Sequence, residues 1–350
     1  MIDLRNRYTI MKQRHIAVLF AMCCISGVSA AQHDWENENV IQINREPARA
    51  YFMPYASKPG DRQLSLNGTW QFRWAPTPEA IDKAQWTTIA VPANWEVNGF
   101  GTPIYSSSGY TFKVNPPYVM GTPKKGYTTE IERNPTGHYR RTFTLPETWN
   151  TDGGQTYLRF DGVMSAFYVY INGKRAGYSQ GSNHPSEFNV TQYVKAGENE
   201  ISLEVYKYSD GSYLEDQDAW RFAGVHRDVT LFHTPSIRLR DYAIRTVATD
   251  DTYRNFSLQI NPKLQSHDGH SGEGYKVRAE LYDADGAKVT EMSAAALPIL
   301  NLAHKAGVMN EWYPQRGHMK FNRMDTVVNN VKTWTAETPY LYTLRLSLVD

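Results

Sequence analysis

Residues 167–181 read FYVYINGKRAGYSQG. Phe167, Val169 and Ile171 occupy alternate positions, the period of a strand with one buried face. They run into Asn172-Gly173, a pair that tolerates positive φ and closes a two-residue hairpin. The chain then returns along 177–181. Upstream, Tyr139, Arg141, Phe143 and Leu145 alternate with their neighbours, and 155–160 ends at an Asp161-Gly162 turn. Farther back, 68–74 carries Trp70, Phe72 and Trp74 on one face. Downstream, 186–194 continues the pattern, and Gly197-Glu198-Asn199 reads as a turn into Ile201, Leu203 and Val205. His233-Thr234-Pro235 closes the series, because proline interrupts a hydrogen-bond ladder. Short strands at regular spacing with almost no helical period indicate an all-β sandwich or jelly roll.

Two stretches lack such a period. Residues 32–62 are polar and punctuated by proline, and read as a lead-in strap outside the core. Residues 98–126 hold several Gly and Pro, and a loop of that length inside a compact unit is usually functional or poorly ordered. A second all-β unit begins near Ser236. Tyr275, Val277, Ala279 and Leu281 face one way, Asp285-Gly286 is a hairpin turn, and Leu344, Leu346 and Leu348 alternate near the end. The sequence stops at Val349-Asp350 without a return strand, so this second sandwich is expected to be incomplete. Residues 300–330 read as irregular.

A length of 350 residues accommodates two or three domains with real cores. The formal net charge is +1, too even for the basic footprint of a nucleic-acid binder. Both cysteines, Cys23 and Cys24, lie in an apolar run over 16–25. Met11, Lys12, Arg14 and His15 precede that run and Val28-Ser29-Ala30 follows it, the order of a secretory signal cleaved after Ala30. Residues 1–30 are therefore read as a signal peptide, and the mature chain owes nothing to disulfides. The apolar run is too short to span a bilayer, and no later segment resembles a membrane span.

The stretch richest in chemistry is 209–229, SDGSYLEDQDAWRFAGVHRDV. Asp210, Glu215, Asp216, Asp218 and Asp228 crowd against Trp220, Arg221 and Arg227. Carboxylates accept hydrogen bonds from hydroxyls and bind hard cations through oxygen, so the stretch suits a hydroxyl-rich ligand. Its bland alternative is an exposed acidic loop. His267 and His270, in HDGHSGEG, read as exposed loop residues, since a metal site needs three or four ligands.

These segments resemble the N-terminal region of large bacterial glycoside hydrolase family 2 β-galactosidases. The resemblance rests on LNGTWQF (66–72), VPANWE (91–96), TPIYSSSGYTFKVNPPYV (102–119), NPTGHYRRTF (134–143) and FDGVMSAFYVYING (160–173). Its most specific part is LEDQD-x-WR followed by G-x-x-RDV, within 214–229. The resemblance implies a jelly-roll sugar-binding domain over 31–235 and an immunoglobulin-like domain over 236–350. A (β/α)8 barrel carrying two catalytic glutamates follows in such enzymes, so no catalytic residue is expected in this chain. Asn199-Glu200 in a turn and Asn310-Glu311 in an irregular stretch lack the barrel context that the family's acid/base pair needs.

By the same resemblance, Asp218 binds galactosyl hydroxyls and helps hold a sodium ion. Ser107 is the second substrate contact, at a position where the family commonly has asparagine; serine is shorter and offers one hydroxyl. Magnesium is implied for the full enzyme, with ligands outside this chain. The implied partner is a β-galactoside, with homo-oligomer formation at full length and an exported, periplasmic or extracellular location. Glu215 and Asp216 are expected to pair with Arg221 or Arg227. β-Glucuronidases and β-mannosidases share the domain order, and a stand-alone carbohydrate-binding or adhesive β-sandwich protein is the alternative outside catalysis.

Overall fold

The computed structural model describes residues 33–107, 109–121, 132–215, 218–267, 269, 271–300 and 324–350. The segment 1–30, expected to be a signal peptide, lies outside these residues, as do Asp216, His270 and Asn310-Glu311.

The Asn172-Gly173 pair does close a hairpin. Both residues have positive φ, 50° and 76°, and the strands pair on either side of them. The larger sheet runs β1 (Gln42–Ile43), β10 (Lys174–Gln180), β9 (Ala166–Ile171), β12 (Gly197–Tyr206), β6 (Thr136–Leu145), β3 (Gly68–Ala75), β4 (Thr87–Val91). The smaller runs β11 (Ser186–Asn189), β7 (Gln155–Phe160), β15 (Val229–Thr234), β2 (Gln63–Ser65). Alternating residues from both sheets meet between them: Trp70, Phe72, Tyr139, Val169, Ile171, Ile201, Leu203 and Val205 from one, Leu158, Phe160 and Leu231 from the other. Gly137 in β6 permits the closest approach in this core. A Cβ there would lie 2.3 Å from the Trp95 ring. Two short ribbons complete the unit, β5 (Ile104–Ser106) with β13 (Ala219–Arg221) and β8 (Val163–Met164) with β14 (Gly224–Val225).

The second sandwich stacks β16 (Ile237–Ala248), β17 (Phe256–Ser266) and β20 (Met324–Val328) on β19 (Lys288–Ala295), β18 (Lys276–Tyr282) and β21 (Thr343–Val349). Ile260, Leu264, Val277, Ala279 and Met324 are buried between these sheets, with Leu344, Leu346 and Leu348 packed half-buried against them. Both units are therefore all-β sandwiches. Among the described residues no helix is long and apolar enough to cross a membrane.

Several expectations need correction. The stretch 98–126 contains β5, and 300–330 contains β20. Asn199 and Glu200 lie within β12 rather than in a turn, opposite Phe143 and Thr142. The Asn199 amide hydrogen-bonds both the N–H and the C=O of Lys195, so a polar residue is accommodated at the strand's buried start. The strap is part of the packed structure. Trp35 is buried, with its ring 5.2 Å from that of Tyr206. Arg49 bonds Glu187 of the first sandwich, while Ala50 N–H donates to Asp241 of the second. His267 is half-buried rather than exposed, with its Nε2 2.6 Å from the Tyr157 hydroxyl.

His138 in β6 supplies a pH test of the first core. Burial, with the nearby Arg73 guanidinium, pushes its imidazole down from 6.5 to about 4. Arginine can only donate, so Nδ1, 3.2 Å from Arg73 Nη2, accepts and the ring is neutral. The unfolded chain takes the proton first. The contribution is fully present above pH 6.5 and is lost as pH falls toward 4. Between pH 7 and pH 5 the wild type is expected to lose about 2 kcal/mol more than His138→Gln in denaturant titrations. Equal losses in the two proteins would show that His138 is protonated within the fold.

Candidate carbohydrate site

The site is built on the ribbon of β5 and β13, which pairs Ala219 with Ser106, Trp220 with Tyr105 and Arg221 with Ile104. The two-residue period decides what each side chain does. Ile104, Ser106 and Arg221 point inward and are buried. Tyr105 and Trp220 point outward, 51% and 54% exposed, with ring centroids 5.6 Å apart. Inside, Arg221 Nη2 donates to the Gly109 carbonyl at 3.0 Å, and the Ser106 hydroxyl donates to the same oxygen at 3.0 Å. Those bonds fix the turn that carries Ser107.

The pairing brings the two sequence-predicted ligand residues together. Asp218 N–H donates to the Ser107 carbonyl at 3.2 Å. Asp218 has φ 52°, a left-handed conformation that aspartate tolerates better than most residues. Its side chain is exposed, and the Tyr105 hydroxyl donates to Oδ1 at 2.5 Å. That hydrogen bond, with the carboxylate charge behind it, raises the Tyr105 phenol above its ordinary value. The second carboxylate oxygen accepts no hydrogen bond from the described residues.

The other described acids of 209–229 are committed to structure. Asp210 accepts from Gln180 Nε2 at 2.6 Å, and burial raises its carboxyl. Glu215, in the one-turn helix α1 (Ser212–Glu215), accepts from the Ser182 N–H at 2.8 Å and hydroxyl at 2.6 Å. The arginine pairing expected of Glu215 is replaced by these two bonds, because α1 turns the side chain toward the β10–β11 connection. Asp228 accepts from Asn67 Nδ2 at 2.9 Å, and Arg227 donates to the Asn183 carbonyl at 2.8 Å. A small open cleft of about 50 Å³ lies between Trp220–Phe222 and Ser182–Asn183, with Lys207 and Glu215 on its walls.

Beneath the ribbon is an ion pair that the sequence reading missed. Lys207 Nζ and Glu96 Oε1 are 2.7 Å apart, with side chains 1% and 0% exposed. Glu96 also accepts from Trp95 Nε1 at 2.7 Å and from Ala223 N–H at 2.9 Å. Burial raises the Glu96 carboxyl against the pull of the Lys207 ammonium. Glu96 thus ties the VPANWE turn both to Lys207, just past β12, and through Ala223 to the connection between β13 and β14, and so holds the ribbon from below.

Asp218 offers a free hard oxygen at an exposed edge, which fits one ligand of an alkali cation. Among the described residues no group of three or more His, Cys, Asp or Glu could hold a metal ion.

Comparison with known proteins agrees with this architecture. Residues 64–235 match the family model described as glycosyl hydrolases family 2, sugar binding domain, and residues 237–350 match that of glycosyl hydrolases family 2. Similar solved structures include a beta-glucuronidase from an uncultured Clostridium sp. (17% identity, TM-score 0.55). Others are an FMN-binding beta-glucuronidase from Facaelibacterium prausnitzii L2-6 (19%, 0.58) and Bifidobacterium dentium beta-glucuronidase complexed with coumarin-3-O-glucuronide (19%, 0.54). They cover 86%, 82% and 84% of this chain, which in turn spans only 45%, 36% and 46% of theirs. At these identities the likeness is one of fold. With two successive family models matched across its two sandwiches, this chain belongs to glycoside hydrolase family 2.

Proposed function

We propose that residues 1–350 are the sugar-binding and scaffold portion of an exported, retaining β-galactosidase. The reading is carried by one observation: Asp218, in the LEDQD-x-WR run, is exposed, oriented by Tyr105 and joined to the Ser107 turn. A carboxylate with one free oxygen accepts hydrogen bonds from sugar hydroxyls and supplies one oxygen to a sodium ion. When bound, such a cation would draw in a sugar hydroxyl oxygen as a further ligand. The acid and nucleophile of hydrolysis are assigned to residues outside 1–350, as is the magnesium site. Export rests on the charged–apolar–small order of 11–30.

The charge of Asp218 bears on which sugar is taken. A glucuronide carries a carboxylate on its ring. A like charge about 4 Å from Asp218 costs about 1–4 kcal/mol between bulk water and a protein surface. A galactoside is neutral and meets no such penalty. The full-length protein is therefore expected to hydrolyse nitrophenyl β-galactoside with at least about a tenfold higher kcat/KM than nitrophenyl β-glucuronide. A preference for the glucuronide would replace this reading with the activity named for the structural neighbours.

A further inference from the structure

The core of the first sandwich is rich in large buried aromatics. Trp35, Trp70, Trp95 and Tyr139 are at most 1% exposed. Tyr105 and Trp220 depart from that pattern together, at facing positions of one ribbon. Neither ring is loose. Trp220 is stacked on Phe222, with centroids 5.5 Å apart and planes 12° apart, and the Tyr105 hydroxyl is held by Asp218. Two rigid, half-exposed rings therefore border a carboxylate that has one oxygen free.

We propose that Trp220, flanked by the tilted ring of Tyr105, forms a stacking platform for the apolar face of a galactopyranose ring whose hydroxyls reach Asp218. This inference rests on the function proposed above. In the galacto configuration the axial 4-hydroxyl lies on one face, and the C3, C4 and C5 hydrogens form a contiguous apolar patch on the other. An aromatic face is electron-rich and attracts polarised C–H bonds, while the area covered leaves water. Hydroxyls at the rim of the same ring are donors and need an acceptor beside the aromatic surface, which Asp218 provides. Tyr105 acts twice: its ring, tilted 57° to that of Trp220, walls one side of the stacking surface, and its hydroxyl occupies Oδ1, leaving the other oxygen to the sugar. Phe222 serves as a buttress that fixes the Trp220 plane.

The test is saturation-transfer NMR of methyl β-D-galactoside and methyl β-D-glucuronide on the full-length protein. Wild type, Trp220→Ala, Trp220→Phe and Trp86→Ala are compared. Trp86 is also exposed, but it lies against Arg73 and Arg140 on the larger sheet, away from the ribbon. Wild type should saturate H3, H4 and H5 of the galactoside most strongly. Trp220→Ala should lose that pattern and bind about tenfold more weakly. Trp220→Phe, which keeps a ring, should retain most of both, and Trp86→Ala should match wild type. If Trp220→Ala keeps the wild-type pattern and affinity, the platform is wrong while the proposed function stands. If wild type binds only the glucuronide and Trp220→Ala abolishes that, the galactoside specificity fails and the platform survives with another sugar. Binding of neither sugar by wild type would overturn both.

Discussion

Lys207→Met is expected to destabilise the first sandwich by about 3–5 kcal/mol, the usual cost of leaving one member of a buried ion pair without its partner. A domain's whole margin is about 5–15 kcal/mol, so the loss is a large fraction of it. For a unit of this size it corresponds to a fall in Tm of about 6–20 °C. Methionine fills similar volume, so the effect isolates the charge rather than a cavity. Proton uptake by Glu96 limits the loss, since burial already raises that carboxyl. The double variant Lys207→Met with Glu96→Gln removes both charges and should recover much of the stability, because neutral replacements of buried pairs are often tolerated. Thermal unfolding of the three proteins checks this. A single variant within about 1 kcal/mol of wild type would mean that water reaches the pair.

The ion pair was not legible in the sequence because its members are far apart along the chain and neither sits in a charged run. Lys207 follows a strand of alternating apolar residues, and Glu96 follows a tryptophan. The hairpin at Asn172-Gly173 was legible because the signal is local: two adjacent residues must both adopt positive φ. The β5–β13 ribbon is the opposite case. Each strand has three residues, too few to establish a period, and β5 lies in a Gly- and Pro-rich loop. The inward–outward order of Ile104-Tyr105-Ser106 against Ala219-Trp220-Arg221 becomes visible only once the two are paired. Asn199 misled for a related reason. Gly-Glu-Asn resembles a turn, but its amide satisfies the neighbouring Lys195 backbone and the strand begins through it.

The family resemblance singled out Asp218 in the acidic stretch and Ser107 in the earlier loop but could not say how they are held. The structure supplies the answer in Tyr105, whose hydroxyl orients the carboxylate, and in the backbone bond between the two residues. The remaining described acids are distinguished by their partners. Gln180, Ser182 and Asn67 each take one, which no count of charges could have separated from a ligand role.

Asp218→Asn removes the charge with the least disturbance of everything else. Asparagine tolerates the left-handed backbone at this position, and its side-chain oxygen can still accept from Tyr105. The side chain is exposed, so Tm should stay within about 1 °C. The change falls on the ligand side. Losing a charged hydrogen-bond partner costs about 1.5–3 kcal/mol, which is about a ten- to hundredfold loss in rate. The most direct measurement is kcat/KM of full-length wild type and Asp218→Asn with nitrophenyl β-galactoside across a sodium titration. The expected result is a ten- to hundredfold lower kcat/KM with a flattened sodium dependence and an unchanged melting curve. Wild-type kinetics with an unchanged sodium response would show that Asp218 serves only to bond Tyr105, and would contradict its assignment as a ligand of sugar and cation.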